Sequence, residues 1–200
     1  MRIEAIIFDI GGVLLGPADA PMREKWASRC GLSPEAFDQI MYFSEWGEQA
    51  LSGAYTHAEI WALLGEKLNV PAADLRELEA DYWDGNWDSQ ILTYCRKLKM
   101  NYRLAVISDA YPGAREMVKP WVNDDLFELI VFSAEEKVRK PNPVIYQRTL
   151  ARLGVAPEDA LFIDDRLENI EGANAVGMHA IQYSRFSQFL ADLEKYIGEV

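Results

Sequence analysis

The sequence predicts a doubly wound parallel α/β sheet, interrupted just after its first strand by a helical segment. Three observations carry that expectation. Short apolar runs alternate with amphipathic helical stretches from Asp88 onward, the order that builds a parallel sheet. The runs are apolar throughout rather than alternating, as strands buried on both faces are. Between about Met22 and Trp87 the periodicity is instead helical, with no strand pattern.

The first strand is the run Ile6-Ile7-Phe8, which climbs to a single carboxylate, Asp9, and then breaks at Gly11 and Gly12. Lacking a Cβ, these glycines let the backbone turn sharply or approach a ligand closely. Asp9 is therefore expected at the carboxyl end of a buried strand, where open α/β sheets place their ligands. Gly16-Pro17-Ala18-Asp19-Ala20-Pro21 reads as a linker. In the helical region, Ser33-Pro34 offers an N-cap followed by proline in the first turn. Thr56 and Glu59 form a capping box before Ile60, Leu63, Leu64 and Leu68, and Leu75, Leu78 and Tyr82 continue the pattern. Trp26, Trp46, Trp61, Trp83 and Trp87 fall here, and their expected place is the core of a small bundle or its seam with the sheet.

A helix through Ile91, Tyr94, Cys95 and Leu98 leads to the strand Leu104-Ala105-Val106-Ile107, which ends in Ser108-Asp109. A helix from Ala114 to Val118 and the strand Leu129-Ile130-Val131-Phe132 follow. Lys140-Pro141-Asn142-Pro143 then opens a helix through Ile145, Leu150 and Leu153, with Asn142 as its cap. The strand Ala160-Leu161-Phe162-Ile163 ends in Asp164-Asp165. A helix from Asn169 to Ala175, a strand at Ala180-Ile181 and a closing amphipathic helix complete the chain.

Composition narrows the function. The chain has 200 residues, half of them hydrophobic, enough for one sizeable core. A net charge of −12 argues against nucleic acid or an anionic membrane as partner. No apolar run approaches the ~18 residues of a membrane span. The N-terminus enters a strand without a signal-peptide pattern, and Cys30 and Cys95 form no C-x-x-C, so a cytoplasmic setting with free thiols is expected. His57 and His179 are isolated, with no ligand cluster around either.

Parallel strands deliver their carboxyl ends to one edge. That edge should collect Asp9, Ser108 and Asp164-Asp165, with Lys140 reaching it from the turn before a helix. Three carboxylates repel one another unless a cation neutralises them. Oxygen ligands without His or Cys point to Mg²⁺. A carboxylate beside a hydroxyl and a lysine supplies the parts that hold a phosphate and neutralise its transferring charge. Asp9, the only carboxylate on the first strand, then qualifies as both metal ligand and nucleophile.

These motifs, Phe8-Asp9-Ile10-Gly11-Gly12-Val13-Leu14, Val106-Ile107-Ser108-Asp109, Arg139-Lys140-Pro141-Asn142-Pro143 and Phe162-Ile163-Asp164-Asp165 with Asn169 behind them, resemble those of the haloacid dehalogenase-like (HAD) hydrolases. The resemblance implies a Rossmann-like core over residues 1–15 and 90–200, with a small mobile helical cap over 16–89. It implies a Mg²⁺-dependent phosphatase of a small phosphorylated metabolite, working through an aspartyl-phosphate. Carried over, Asp9 is nucleophile and metal ligand, and Gly11 offers its backbone carbonyl to the metal. Ser108 binds the phosphoryl oxygens, and Lys140 neutralises them and orients Asp9. Asp165 is the direct metal ligand, Asp164 stands beside it or acts through water, and Asn169 supports both.

One position departs from the pattern. The family's phosphatases usually carry an acid–base aspartate two residues after the nucleophile, and here that residue is Gly11. Asp109, where relatives often have Asn, is a candidate replacement that also borders the phosphate site; a cap residue is another. Four competing readings follow. A dehalogenase also lacks the second aspartate but leaves Asp164-Asp165 without a purpose. A non-catalytic phospho-ligand binder would not need the nucleophile, lysine and metal pair. A response-regulator receiver has its acidic pair on the first strand, the reverse of this order. A dinucleotide fold is weaker still, because Gly11-Gly12 does not continue as G-x-G-x-x-G. The substrate and the oligomeric state are not legible.

Overall fold

The computed structural model describes residues 2–16 and 20–198. Five parallel strands form one sheet in the order β3-β2-β1-β4-β5: β1 Ala5–Phe8, β2 Arg103–Ser108, β3 Leu129–Phe132, β4 Ala160–Asp164 and β5 His179–Gln182. The first strand is central, and chain order reverses across it. That is the doubly wound topology, with its switch point between β1 and the neighbours on either side.

The strands are apolar on both faces because both are covered. Ile6, Phe8, Leu104, Val106, Leu161 and Ile163 face α6 (Ser89–Leu98), α7 (Ala114–Val118) and α11 (Phe186–Ile197). The alternate residues Ala5, Ile7, Ala105, Ile107 and Phe162 face α9 (Pro143–Leu153) and α10 (Leu167–Ala175). Phe8 packs edge-on against both Phe127 and Phe189, with centroids 6.4 and 6.2 Å away, which pins the strand that carries Asp9.

Among the described residues, five helices lie between β1 and α6: α1 Ala20–Cys30, α2 Pro34–Met41, α3 Glu45–Leu51, α4 His57–Leu68 and α5 Leu75–Trp83. The expected caps are present. Ser33 accepts from Ala36 N, and Thr56 and Glu59 form a complete capping box. Trp26, Phe37, Ile60, Trp61, Leu64 and Leu78 make a separate apolar cluster there. Tyr111, three residues beyond Ser108, is driven into this cluster, and its hydroxyl donates to the Met41 carbonyl. The loop after β2 is thus rooted in the helical segment. As expected, Trp26 and Trp61 are core residues of the bundle, and Trp83 joins the sheet-side core at the seam.

The proposed linker is shorter than the composition suggested. Positions 17–19 lie outside the described residues, and Ala20 already begins α1. Proline in a first helical turn loses no hydrogen bond, so Pro21 does not prevent the helix. Two short helices escaped the sequence reading. One is α3; the other is α8 (Ser133–Glu136), which starts directly after β3. Both are too short for a periodic signal. Among the described residues no helix is long and apolar enough to cross a membrane.

Candidate active site

The strand ends do converge. Asp9 continues the ladder one residue past β1, its N–H donating to Ile163 O at 2.8 Å, so the side chain emerges at the carboxyl edge. Ser108 and Asp164 are the last residues of β2 and β4 and flank it on either side. Asp9, Ser108, Asp164 and Lys140 are all buried.

Lys140 organises the group. It lies between α8 and α9, and its ammonium is 2.8 Å from Asp9 Oδ1, 2.7 Å from Asp164 Oδ2 and 3.2 Å from the Ile107 carbonyl. Its backbone N–H donates to Asp109 Oδ1 at 3.1 Å, which ties that loop to the end of β2. Asp164 has further partners. Its Oδ1 accepts from Arg166 N at 2.9 Å, and Asn169 Nδ2 lies 3.0 Å from both carboxylate oxygens. Asn169 is itself held by Tyr146, whose hydroxyl donates to its carbonyl. Asp165 is exposed and lies against Gly12. There the backbone turns with φ +74°, and a Cβ would come within 2.4 Å of Asp165 Oδ2. Gly12 is therefore required both by its conformation and by the space that Asp165 occupies.

Asp9, Asp164 and Asp165 each offer an oxygen within 4.8 Å of the others. With all three carboxylates ionised, the one ammonium of Lys140 leaves two negative charges. Burial pushes the Asp9 carboxyl up, to about 8; Lys140 opposes that shift and Asp164 adds to it. Burial likewise raises Asp109 and Asp165. Lys140 stays charged: burial disfavours its ammonium, but Asp9 and Asp164 outweigh that and raise it overall. An all-oxygen cluster short of two positive charges fits a hard divalent cation such as Mg²⁺.

Gly11 is exposed, and nothing stands within 4 Å of where its Cβ would be. The space for a side chain exists here and is not filled. Asp109 is half-buried, with Oδ2 4.0 Å from Arg139 Nε, and both residues border a cavity of about 610 Å³ between the strand ends and the helical segment. Sequence reasoning did not single out the residues on the helical side of that cavity. Tyr42, Phe43 and Tyr82 line it, yet nothing in their spacing separates them from core residues. Arg139 was visible only as a neighbour of Lys140.

A doubly wound parallel sheet whose switch-point edge gathers a buried aspartate, a lysine and an acidic pair defines a Rossmann-like α/β protein with its site at the carboxyl ends of the strands. The family description "haloacid dehalogenase-like hydrolase" matches residues 3–177, and the chain belongs to that family. Over 204 residues it is 27% identical to a sesquiterpene phosphatase of Aspergillus oryzae, covering 98% of this chain and 97% of that one. It is 32% identical over 117 residues to a glyceraldehyde 3-phosphate phosphatase of Pyrococcus furiosus, where the match spans 54% of this chain and about half (47%) of the relative. An (S)-2-haloacid dehalogenase of Burkholderia cepacia is 27% identical, over 92% of this chain and 84% of that one. In fold the chain is similar to a HAD family enzyme of Bacteroides thetaiotaomicron, crystallised with magnesium and inorganic phosphate. The TM-score is 0.78 at 21% identity, covering 94% of this chain and 98% of that one.

Proposed function

We propose that the chain is a Mg²⁺-dependent phosphatase of a small phosphomonoester, with Asp9 as the nucleophile. The observation that carries this reading is the contact of Lys140 with Asp9 and Asp164 at 2.8 and 2.7 Å, beside an acidic cluster short of two positive charges. The phosphatases among its relatives support it.

Asp9, Asp165 and the carbonyl of Gly11 would hold the Mg²⁺, with Asp164, already bonded to Lys140 and Asn169, beside them or acting through water. When bound, the ion neutralises the carboxylates and draws charge from phosphoryl oxygens. The free oxygen of Asp9 attacks phosphorus. Oδ1 meanwhile is held by Lys140 and by the N–H of Ile10 at 2.7 Å. Ser108 donates to a phosphoryl oxygen, and Lys140 places a fixed positive charge beside the group in transfer. Water then attacks the phosphorus of the aspartyl-phosphate and regenerates Asp9. Asn169 keeps Asp164 oriented so that Lys140 does not shift during either step. Residues 16–89 act as a cap that excludes bulk water. A cytoplasmic setting belongs to the proposal, supported by the free thiols Cys30 and Cys95.

At Gly11 no acid is available to protonate the leaving oxygen. Loss of a general acid–base group costs about 10²–10⁴ in rate, so turnover depends on a good leaving group or on Asp109 as donor. The dehalogenase relative and Gly11 favour a second reading, in which Asp9 displaces halide from carbon. The acidic cluster speaks against it, because that chemistry gives Asp165 no role. Phosphate release from an aryl phosphate, with and without Mg²⁺, for wild type and Asp9→Asn, tests the proposal. Release that needs both Mg²⁺ and Asp9 is expected. No release, with halide appearing from a 2-halo acid, would replace it with the second reading.

A further inference from the structure

The cavity beside the site differs on its two sides. The strand-end side is polar, with Ser108, Asp109 and Arg139. The helical side and base are Leu15, Met22, Tyr42, Phe43, Leu51 and Tyr82. Tyr42 and Tyr82 stack with centroids 6.0 Å apart, and Tyr82 stacks in turn on the buried Tyr111 at 6.1 Å. Phe43 is 59% exposed at this cavity, an apolar ring without cover. Charged side chains line the cavity as well, most of them paired with one another within it, and Asp84 stands beside them. Lys25 is 2.5 Å from Asp81, Glu48 is 3.9 Å from Arg139, and Arg166 pairs with Glu168. A hydroxyl-rich leaving group would meet aromatic faces here and lose its hydrogen bonds to water.

We infer that the site takes monophosphate esters of apolar aryl alcohols, with the ring held among Tyr42, Phe43 and Tyr82. The inference rests on the phosphatase reading and adds the substrate class to it. A second observation, at Gly11 on the strand-end side of the cavity, points the same way. The open space at Gly11 places no proton donor beside the departing oxygen, and an aryl oxide leaves without one. Asp9 oxygen bonds to phosphorus as the ester P–O bond breaks, and the electron pair departs on the aryl oxygen. Water then supplies the oxygen that frees phosphate from Asp9 and the proton that the aryl oxide takes up. Burial in the cavity strengthens the preference, since each methylene buried against these rings is worth about fourfold in kcat/KM.

The test measures phosphate release with Mg²⁺ from phenyl phosphate, a series of 4-alkylphenyl phosphates, glycerol phosphate and a hexose 6-phosphate. Expected is a rise of about fourfold in kcat/KM per methylene until the cavity is full, with aryl esters ahead of the hexose ester by roughly 10²-fold or more. Phe43→Ser, at an exposed position that the fold does not need, should reduce that aryl-over-hexose ratio by about tenfold. A flat alkyl series, or a hexose or glycerol ester that equals the aryl esters, would overturn the inference while leaving the phosphatase reading in place. Absence of Asp9-dependent release from every ester would overturn the phosphatase reading, and this inference with it.

Discussion

Lys140 Nζ lies 2.7 Å from Asp164 Oδ2, and both side chains are almost wholly withdrawn from solvent. A charge buried this deeply is tolerated only when paired on several sides. Lys140 reaches that condition with two carboxylates and the Ile107 carbonyl. The same contacts that keep it in the fold hold it at the site.

Lys140→Met should therefore abolish phosphate release and destabilise the chain. Removing one partner of a buried ion pair costs about 3–5 kcal/mol, which for a chain of this size lowers Tm by roughly 10 °C or more. Thermal unfolding followed by circular dichroism checks the stability. Phosphate release at a temperature where the variant is still folded checks the activity.

Gly11→Asp is expected to be accepted by the fold, because the φ of Gly11 is not positive and no atom stands near its Cβ. A carboxyl group there would be placed to protonate the leaving oxygen. Turnover of an alkyl phosphate should rise by about tenfold or more, and that of an activated aryl ester much less. Steady-state rates on the two esters, with Tm as a control, decide it.

Gly12→Ala should do the opposite. Its φ of +74° disfavours any side chain, and the added methyl would strike Asp165. A stability loss of about 1–2 kcal/mol is expected. Displacement of Asp165 should also weaken Mg²⁺ activation by roughly tenfold or more. Denaturant unfolding and a Mg²⁺ titration of activity read the two effects separately.

The clasp between α1 and α5 carries a pH dependence of its own. Hydrogen bonds from Arg29 and Lys25, each at 2.8 Å, hold the Glu77 carboxyl down to about 2. A carboxylate with a depressed pKa stabilises the fold above its ordinary range, and that contribution is lost as pH falls from about 5 to about 2. Glu77→Gln should thus have a slightly lower Tm than wild type at neutral pH, with the gap closing in acid and shrinking in high salt.

Much of this was legible in the sequence, for a physical reason. Asp9, Ser108 and Asp164 each terminate an apolar run, and a parallel sheet leaves no choice about which edge they share. Lys140 was legible because a proline-rich turn before a helix opens at that edge. The helical side of the cavity was not. Tyr42 and Phe43, in the turn after α2, and Tyr82, in α5, differ from their core neighbours only in which way the packed segment turns them, and tertiary packing decides that. Tyr111 was hidden for the same reason, since its partners Met41 and Tyr82 come from a different part of the chain. The apparent linker ended early because proline at Pro21 fits a first helical turn as readily as a loop.

The central claim is that Asp9 becomes phosphorylated during turnover. It is tested most directly by quenching the enzyme with borohydride while it turns over an aryl phosphate in Mg²⁺, then mapping peptides by mass spectrometry. An aspartyl-phosphate is reduced to homoserine, so the account predicts homoserine at position 9, dependent on substrate and Mg²⁺ and absent at Asp109, Asp164 and Asp165. Phosphate release with Asp9 unmodified, or with the label at another aspartate, would contradict it.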